Sequence, residues 1–566
     1  MATTKHKQTT TSDVAPWIGV AVLLLITFIA YLPALRGDFI WDDDDYVTKN
    51  PTLNDLDGLR RIWFEIGATR QYYPLVYTTF WIEKHIWGLN PLGYHVVNVV
   101  LHGVGAGLLW LILRRLAVPG ALLAAAVFAL HPLHVESVAW ITERKNVLSG
   151  VFYFAAALAY LRSNESKSRI RASVLSLVLF VFALSSKSVT FSLPVALLLV
   201  QWWRSGRIRE RDASLLWHFF ILGLMVACLT VWMENTNVGA GGPEWHRPAL
   251  VRLLTAGHAF WFYLGKLVWP DPLIFVYPKW NLGSARWIGY AVPMCAVALV
   301  ASLFALRTRI GRGPIAATLF YAGTIFPALG FFNVYYAIRY SPVADHFAYL
   351  ASLGPIVLLA AAWSLLVKRT TTSALVSISG GAAMCLLLGV LTWNQCGVYR
   401  DLESLWTDTI RKNPTAAMAH LNLGSIRQKQ GRHADAAELF RKTLDLEPPT
   451  SIAHFNLGTS LLNLNRTDDA ITQFEAALRL QPNYPKCLAN LGNAWLTKGR
   501  AAEAINPLTQ AVEFKPDYAL AHQNLATAFE QLGRFAEAER HYREAARLNP
   551  QDRASLNSAE RLKLRR

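Results

Sequence analysis

The chain is 566 residues long, 53% hydrophobic and only 16% charged, with 20 tryptophans. A soluble chain of this length would carry about a quarter charged residues, so the composition excludes an ordinary multidomain soluble protein and places much of the mass in lipid. The net charge of +17 would suit nucleic acid, yet residues 394–566 hold 23 Lys and Arg against 19 Asp and Glu. The basic excess therefore sits beside the apolar segments, where such residues act as orientation signals and phosphate ligands, and no nucleic-acid partner is expected. Of the five cysteines, Cys228, Cys295 and Cys385 lie inside apolar runs, and the set has neither a disulfide framework nor zinc spacing.

Apolar stretches of roughly 17 to 25 residues read as membrane-spanning helices. In chain order they are 15–35, 93–113, 118–132, 147–161, 170–186, 188–203, 214–233, 287–306, 314–332, 347–367 and 374–393. The first run is too long for a signal-peptide core and no small-residue cleavage site follows it, so it is expected to be an uncleaved anchor. A further segment, 252–270, is either another span or an amphipathic surface element. If it does not cross, the basic loops around Arg114/Arg115, Arg162, Arg204–Arg211, Arg307–Arg312 and Lys368/Arg369 all share the side of the N-terminus, as the positive-inside rule requires. Eleven spans are therefore expected, with the acidic loop and the C-terminal region on the extracytoplasmic side.

After Trp393 the composition becomes polar and alanine-rich, and Pro414, Pro448, Pro482, Pro516 and Pro550 fall 34 residues apart. Gly424, Gly458, Gly492 and Ala526 share that period, as do Ala436, Ala470, Ala504 and Ala538, with Phe440, Phe474, Leu508 and Tyr542 as the large residues between paired helices. This is the tetratricopeptide (TPR) signature. It predicts an all-α chain: a membrane helical bundle over 1–393 with a first extracytoplasmic loop at 36–92, a connector at 394–416 holding one lone helix, and four repeats with a charged cap over 417–566.

Several polar groups could carry chemistry. Trp41 is followed by Asp42, Asp43, Asp44 and Asp45; adjacent carboxylates repel, which raises at least one pKa, so the loop could supply a general base, hold a divalent cation or simply be solvated. The third span ends in His131, Pro132, Leu133, His134, Val135 and Glu136, a set able to ligate a metal without having an established spacing. Arg144, Lys145, Lys187 and Arg339, the last with Asp345 and His346 nearby in sequence, are cations on the face that the positive-inside rule disfavours. They suit a lipid phosphate, or act as interfacial anchors. In the repeats, Asn422, Asn456, Asn490 and Asn524 recur every 34 residues. Such a ladder can clamp the backbone of an extended acceptor peptide, or merely pack within the repeats.

Taken together, Trp41-Asp42-Asp43 with Asn50 downstream, His131 to Glu136, Ser186-Lys187, Asp345 to Leu350 and the C-terminal repeats resemble the transmembrane-and-tetratricopeptide-repeat O-mannosyltransferases and their prokaryotic relatives, in motif order over nearly the whole chain. That resemblance implies a C-type glycosyltransferase, which takes a sugar from a polyprenyl-phosphate carrier and uses acidic residues of its first extracytoplasmic loop. The paired acid of the family maps onto Asp42 and Asp43. Where relatives often have Ser-Lys-Glu, this chain has Ser186-Lys187-Ser188, so no role for that glutamate carries over. The expected function is inverting transfer of mannose or another hexose to Ser or Thr of a protein recruited by the repeats, in a plasma or inner membrane. The rivals are a non-enzymatic TPR scaffold and a transporter of lipid-linked sugars.

Overall fold

The computed structural model describes residues 16–163, 169–236, 247–282, 287–332, 340–370 and 374–564. It divides into two compact units, Met1–Asp408 and Thr409–Arg566, and every described element is helical. In the first unit α1 (Pro16–Ala30) leads into the acidic loop. That loop contains α2 (Leu56–Phe64) and α3 (Pro74–Trp87) and closes on α4 (Pro91–Arg115). Then follow α5 (Ala121–Leu130), α6 (Val135–Ala139), α7 (Arg144–Ser163), α8 (Arg169–Leu184), α9 (Leu193–Ser205), α10 (Glu210–Thr236), α11 (Ala249–Val268), α12 (Trp287–Ala305), α13 (Gly313–Ile325), α14 (Leu353–Thr370), α15 (Ala374–Cys396) and α16 (Leu402–Lys412).

Fewer of the described helices than the eleven expected are both long and apolar enough to cross a bilayer. Five described helices are sufficiently long and apolar: Pro91–Arg115, Leu216–Thr236, Gly289–Thr308, Leu353–Thr370 and Ile378–Tyr399. The pair Ala121–Leu130 and Pro132–Ala139, bent by 51°, makes a sixth. Of the other expected spans, Pro16–Ala30 and Ile170–Leu184 are shorter apolar helices, and breaks in the backbone interrupt some of the expected segments. Pro132 has no N–H to continue the ladder of α5; the 188–203 segment opens with a tight turn at Ser188–Ser192; and the 314–332 segment stops at a turn containing Pro327. The 252–270 segment is a 20-residue helix, α11, with Leu254, Ala259, Phe260, Tyr263 and Leu267 buried. Irregular backbone at membrane depth is tolerated where it is enclosed by protein or lines a wet cavity, and the interruptions after α5 and α8 both bring residues to one polar cluster described below.

The acidic loop is fastened down by its own apolar residues. Tyr46, Val47, Leu53, Ile62, Tyr73, Tyr77, Phe80 and Tyr94 are buried in one cluster with Ile141, and Tyr46 stacks on Tyr77 at 5.1 Å between ring centroids. Helix starts are set locally: Asp55 caps α2 by accepting from the Gly58 N–H at 2.7 Å, and Asn90 caps α4 ahead of Pro91. The first unit runs beyond the expected boundary at 393, because Trp406 of α16 is buried against Trp41 and Phe275, at 5.1 and 5.5 Å.

The second unit is the repeat array. Its hairpins are α17 (Ala417–Lys429) with α18 (His433–Leu446), α19 (Ser451–Asn463) with α20 (Thr467–Leu480), α21 (Pro485–Thr497) with α22 (Ala501–Phe514), and α23 (Ala519–Gln531) with α24 (Phe535–Leu548). A Cβ at Gly424 would come within 2.7 Å of the Phe440 ring, and one at Gly458 within 2.8 Å of Phe474, which is why the period demands glycine there. The array ends in α25 (Arg553–Lys563), whose Ala559 and Leu562 cover Phe529 and Tyr542.

Candidate active site

Trp41 holds a left-handed backbone (φ 48°), unfavourable for a bulky side chain, and is secured by ring contacts to Trp406, Phe275 and Tyr340. The chain then turns through Asp42 to Thr48. Asn50 closes this turn, donating to the Tyr46 carbonyl at 3.2 Å and accepting from the N–H and hydroxyl of Thr52 at 3.0 and 2.7 Å.

The two paired acids face different surroundings. Asp43 is fully buried. Its Oδ2 accepts from the Ile40 N–H at 2.8 Å, and its Oδ1 accepts from the Thr142 N–H at 2.8 Å and the Thr142 hydroxyl at 2.5 Å. It therefore staples the acidic loop to the turn before α7. Burial pushes its pKa up to about 7 despite those donors, which favour the charged form. Asp42 keeps 27% of its side chain exposed and meets Arg70 at 3.0 Å, which also bridges to Asp45 at 2.8 Å. Burial raises the Asp42 pKa, partly offset by Arg70 and Lys145. Of the two, Asp42 is the carboxylate with a face toward solvent, while Asp44 and Asp45 serve Thr48, Lys49 and Arg70.

Glu143, a residue that sequence reasoning did not place in the site, is the centre of the cationic cluster. Its oxygens lie 2.8 Å from Lys145 Nζ and 3.5 Å from Lys187 Nζ, and one accepts from Asn146 Nδ2 at 2.6 Å. Burial would raise its pKa, but His346, Lys145 and Lys187 outweigh that and hold it well below the usual carboxylate range. Lys187 donates to Asn146 Oδ1 at 2.6 Å; burial lowers its pKa to about 8 against the pull of Glu143. Asn146 also donates to the Ser137 hydroxyl and the His346 carbonyl, at 3.1 and 3.2 Å. The only sequence signal for this cluster is the run Glu143 to Asn146, an acid followed by two cations and a carboxamide.

The other expected residues divide between this cluster and the scaffold. Glu136 accepts from the His346 backbone N–H at 3.0 Å and lies 3.1 Å from its Nδ1, and Asp345 accepts from the Tyr277 hydroxyl at 2.8 Å. His131 is buried, with its ring nitrogens taken by the Leu267 carbonyl and the Leu133 N–H. His134 meets the Phe128 carbonyl and the Ser352 hydroxyl. Both histidines are thus structural rather than metal or phosphate ligands, and among the described residues no group of His, Cys, Asp and Glu is arranged to hold a metal ion.

Arg144 likewise departs from expectation. It is completely buried, bound to Glu83 at 2.5 and 3.1 Å, to the Tyr94 carbonyl at 2.9 Å, to Thr79 at 3.3 Å and to Asn98, over the Phe80 ring. All five guanidinium N–H groups are committed, so it offers nothing to a phosphate. Arg339 lies outside the described residues. In the second unit Asn422 donates to the Met418 carbonyl at 2.8 Å and Asn490 to the Thr459 hydroxyl at 3.2 Å. Those two carboxamides therefore also serve the repeat itself.

An all-helical membrane protein with a buried polar cluster beside an acidic loop, extended by a repeat array, is the class these observations define. The chain is similar to TMTC-type protein O-mannosyl-transferases over about three quarters of its length. Tetratricopeptide-repeat family models match residues 414–483, 455–519 and 519–552. A protein O-mannosyl-transferase of Caenorhabditis elegans is 23% identical over 73% of this chain and 61% of its own length. Protein O-mannosyl-transferase TMTC4 of Homo sapiens is 24% identical over 75% of this chain and 66% of its own. The chain thus spans under two thirds of the length of these curated relatives. A solved structure, the crystal structure of MamA, aligns at 22% identity over 27% of this chain and 89% of that one, with a TM-score of 0.25.

Proposed function

We propose that the protein is a C-type glycosyltransferase that moves mannose or another hexose from a polyprenyl-phosphate carrier to a Ser or Thr hydroxyl of a protein acceptor, on the extracytoplasmic face of the membrane. The observation that carries this reading is Asp42, mostly buried but with part of its side chain open to solvent, and close enough to Lys145 and Glu143 for their charges to act on it. Asp42 takes the acceptor proton, the hydroxyl oxygen attacks the anomeric carbon with inversion, and the carrier leaves as a phosphate whose charge Lys145 and Lys187 stabilise. Glu143 and Asn146 hold the two ammonium groups in position. No general acid is needed for departure of the carrier, since phosphate leaves as an anion.

The phosphate role is tested with Lys187→Gln. Loss of one charge-assisted contact should weaken carrier binding by about 1.5 to 3 kcal/mol. Because the Lys187 pKa is lowered to about 8, its charge is present below that pH and lost above it. Carrier affinity of the wild-type protein should therefore fall as pH rises through 8, and Lys187→Gln should flatten that limb. An unchanged affinity and pH profile would remove Lys187 from the phosphate site.

The repeats recruit the acceptor in this reading, since TPR arrays are peptide-interaction modules. Replacing Asn456, Asn490 and Asn524 together by Ala removes up to six contacts, at about 0.5 to 1.5 kcal/mol each. The apparent KM for a protein acceptor should rise while transfer to a short free peptide persists. A triple variant that melts early instead would assign the asparagines to repeat packing, as the internal bonds of Asn490 already do in part.

A further inference from the structure

Arg70 lies in the acidic loop between α2 and α3. Its Nη1 donates to Asp42 at 3.0 Å and to Asp45 at 2.8 Å, which uses both N–H groups of that nitrogen. Nε and Nη2 donate to no described residue, and the side chain is 37% exposed. The two lysines of the cluster are more enclosed, at 12% and 13%, and both meet Glu143. The segment that carries Arg70 is fixed from two sides. The Thr69 hydroxyl donates to the Gln71 carbonyl at 2.9 Å, and the Gln71 carboxamide accepts from the Tyr46 hydroxyl at 2.6 Å while donating to Glu234 of α10 at 2.7 Å. A guanidinium is thus held with one corner on Asp42, and its Nε and Nη2 edge, the parallel pair of N–H groups that suits phosphate oxygens, is uncommitted.

We propose that Arg70 is a further catalytic residue, which binds the carrier phosphate through Nε and Nη2 while Nη1 stays on Asp42. The inference rests on the glycosyl-transfer reading above and adds to it a cation shared by base and leaving group. In that step the acceptor O–H bond breaks and its proton goes to Asp42. The oxygen bonds to the anomeric carbon, and the bond from that carbon to the phosphate breaks with its electron pair left on the phosphate oxygen. Negative charge therefore leaves Asp42 and arrives on the phosphate. A cation on the carboxylate alone opposes this transfer: burial raises the Asp42 pKa, but Arg70 pulls it back down, making it a weaker base. A guanidinium that touches both groups recovers at the phosphate the attraction it gives up at Asp42, where the charge develops. Lys145 and Lys187 are point charges held by Glu143, whose own charge does not change in the step.

The test is steady-state kinetics of the full-length protein with carrier-linked sugar and a peptide acceptor, measured across pH. Arg70→Gln should lower kcat about a hundredfold, the usual worth of one donor aimed at developing charge, with a much smaller change in the donor KM. Because Arg70 favours the charged carboxylate, its loss should also move the acid limb of kcat/KM to higher pH. Arg70→Lys keeps a charge beside Asp42 and loses the fork, so the limb should stay near its wild-type position while kcat remains down by about tenfold or more. A merely structural role would lower the melting temperature and leave the limb in place. An unchanged kcat or an unmoved limb in Arg70→Gln overturns the proposal, as does full turnover by Arg70→Lys. If Arg70→Gln fails to accumulate, the turnover of Arg70→Lys decides alone. Failure of the glycosyl-transfer reading is separate: it appears as a wild-type protein without transfer, or as full turnover by Asp42→Asn, before Arg70 is changed, and removes both.

Discussion

Asp42→Asn lowers turnover by about two to four orders of magnitude, the usual worth of a positioned general base, without lowering the melting temperature. The amide keeps the size of the side chain and can still accept from Arg70, which lies 3.0 Å away, but it cannot take the acceptor proton. Burial raises the Asp42 pKa, so the wild-type kcat/KM should fall as pH drops through a value above the ordinary carboxylate range. Asp43→Asn should behave differently. Its NH₂ group would face either the Ile40 N–H or the two Thr142 donors, leaving a buried donor unsatisfied at about 1 to 3 kcal/mol. The expected outcome is a lower melting temperature and a partial loss of activity. Full turnover by Asp42→Asn, measured with carrier-linked sugar and a peptide acceptor, would overturn the assignment of the base.

The repeat array was legible because its signal is a strict period of small residues facing large ones, as where Gly424 meets Phe440 and Gly458 meets Phe474. The motifs of the acidic loop were also legible as a place, though not as roles. Adjacent Asp42 and Asp43 look alike in sequence, and only the fold shows that one meets Thr142, distant in the chain, while the other keeps a face to water. Arg144 and Lys145 present the same difficulty. The first residues of a helix point in different directions, so one cation is buried against Glu83 and its neighbour meets Glu143. Glu143 itself is not singled out by the sequence, since an acid followed by two cations reads equally well as a solvated pair. Hydropathy alone does not register the breaks at Pro132 and Ser188–Ser192.

Arg144→Gln tests whether that residue serves the fold or the carrier. Its guanidinium is the charged partner of Glu83 in a site closed to water, with exposures of 0% and 5% for the two side chains. Removing it strands a carboxylate and the carbonyls of Asn98 and Tyr94. Breaking such a buried pair from one side costs about 3 to 5 kcal/mol, so the variant should melt early in detergent or nanodiscs, or fail to accumulate. Glu83→Leu should do similar damage by leaving the guanidinium unpaired. The double variant Glu83→Leu/Arg144→Met, apolar and of comparable volume, should recover much of the loss, because neither charge then remains buried alone. A phosphate ligand would behave in the opposite way: Arg144→Gln would keep its stability and lose carrier affinity, and no change at Glu83 would compensate. Melting temperatures of the two single variants and the double, read beside carrier binding, separate the two roles.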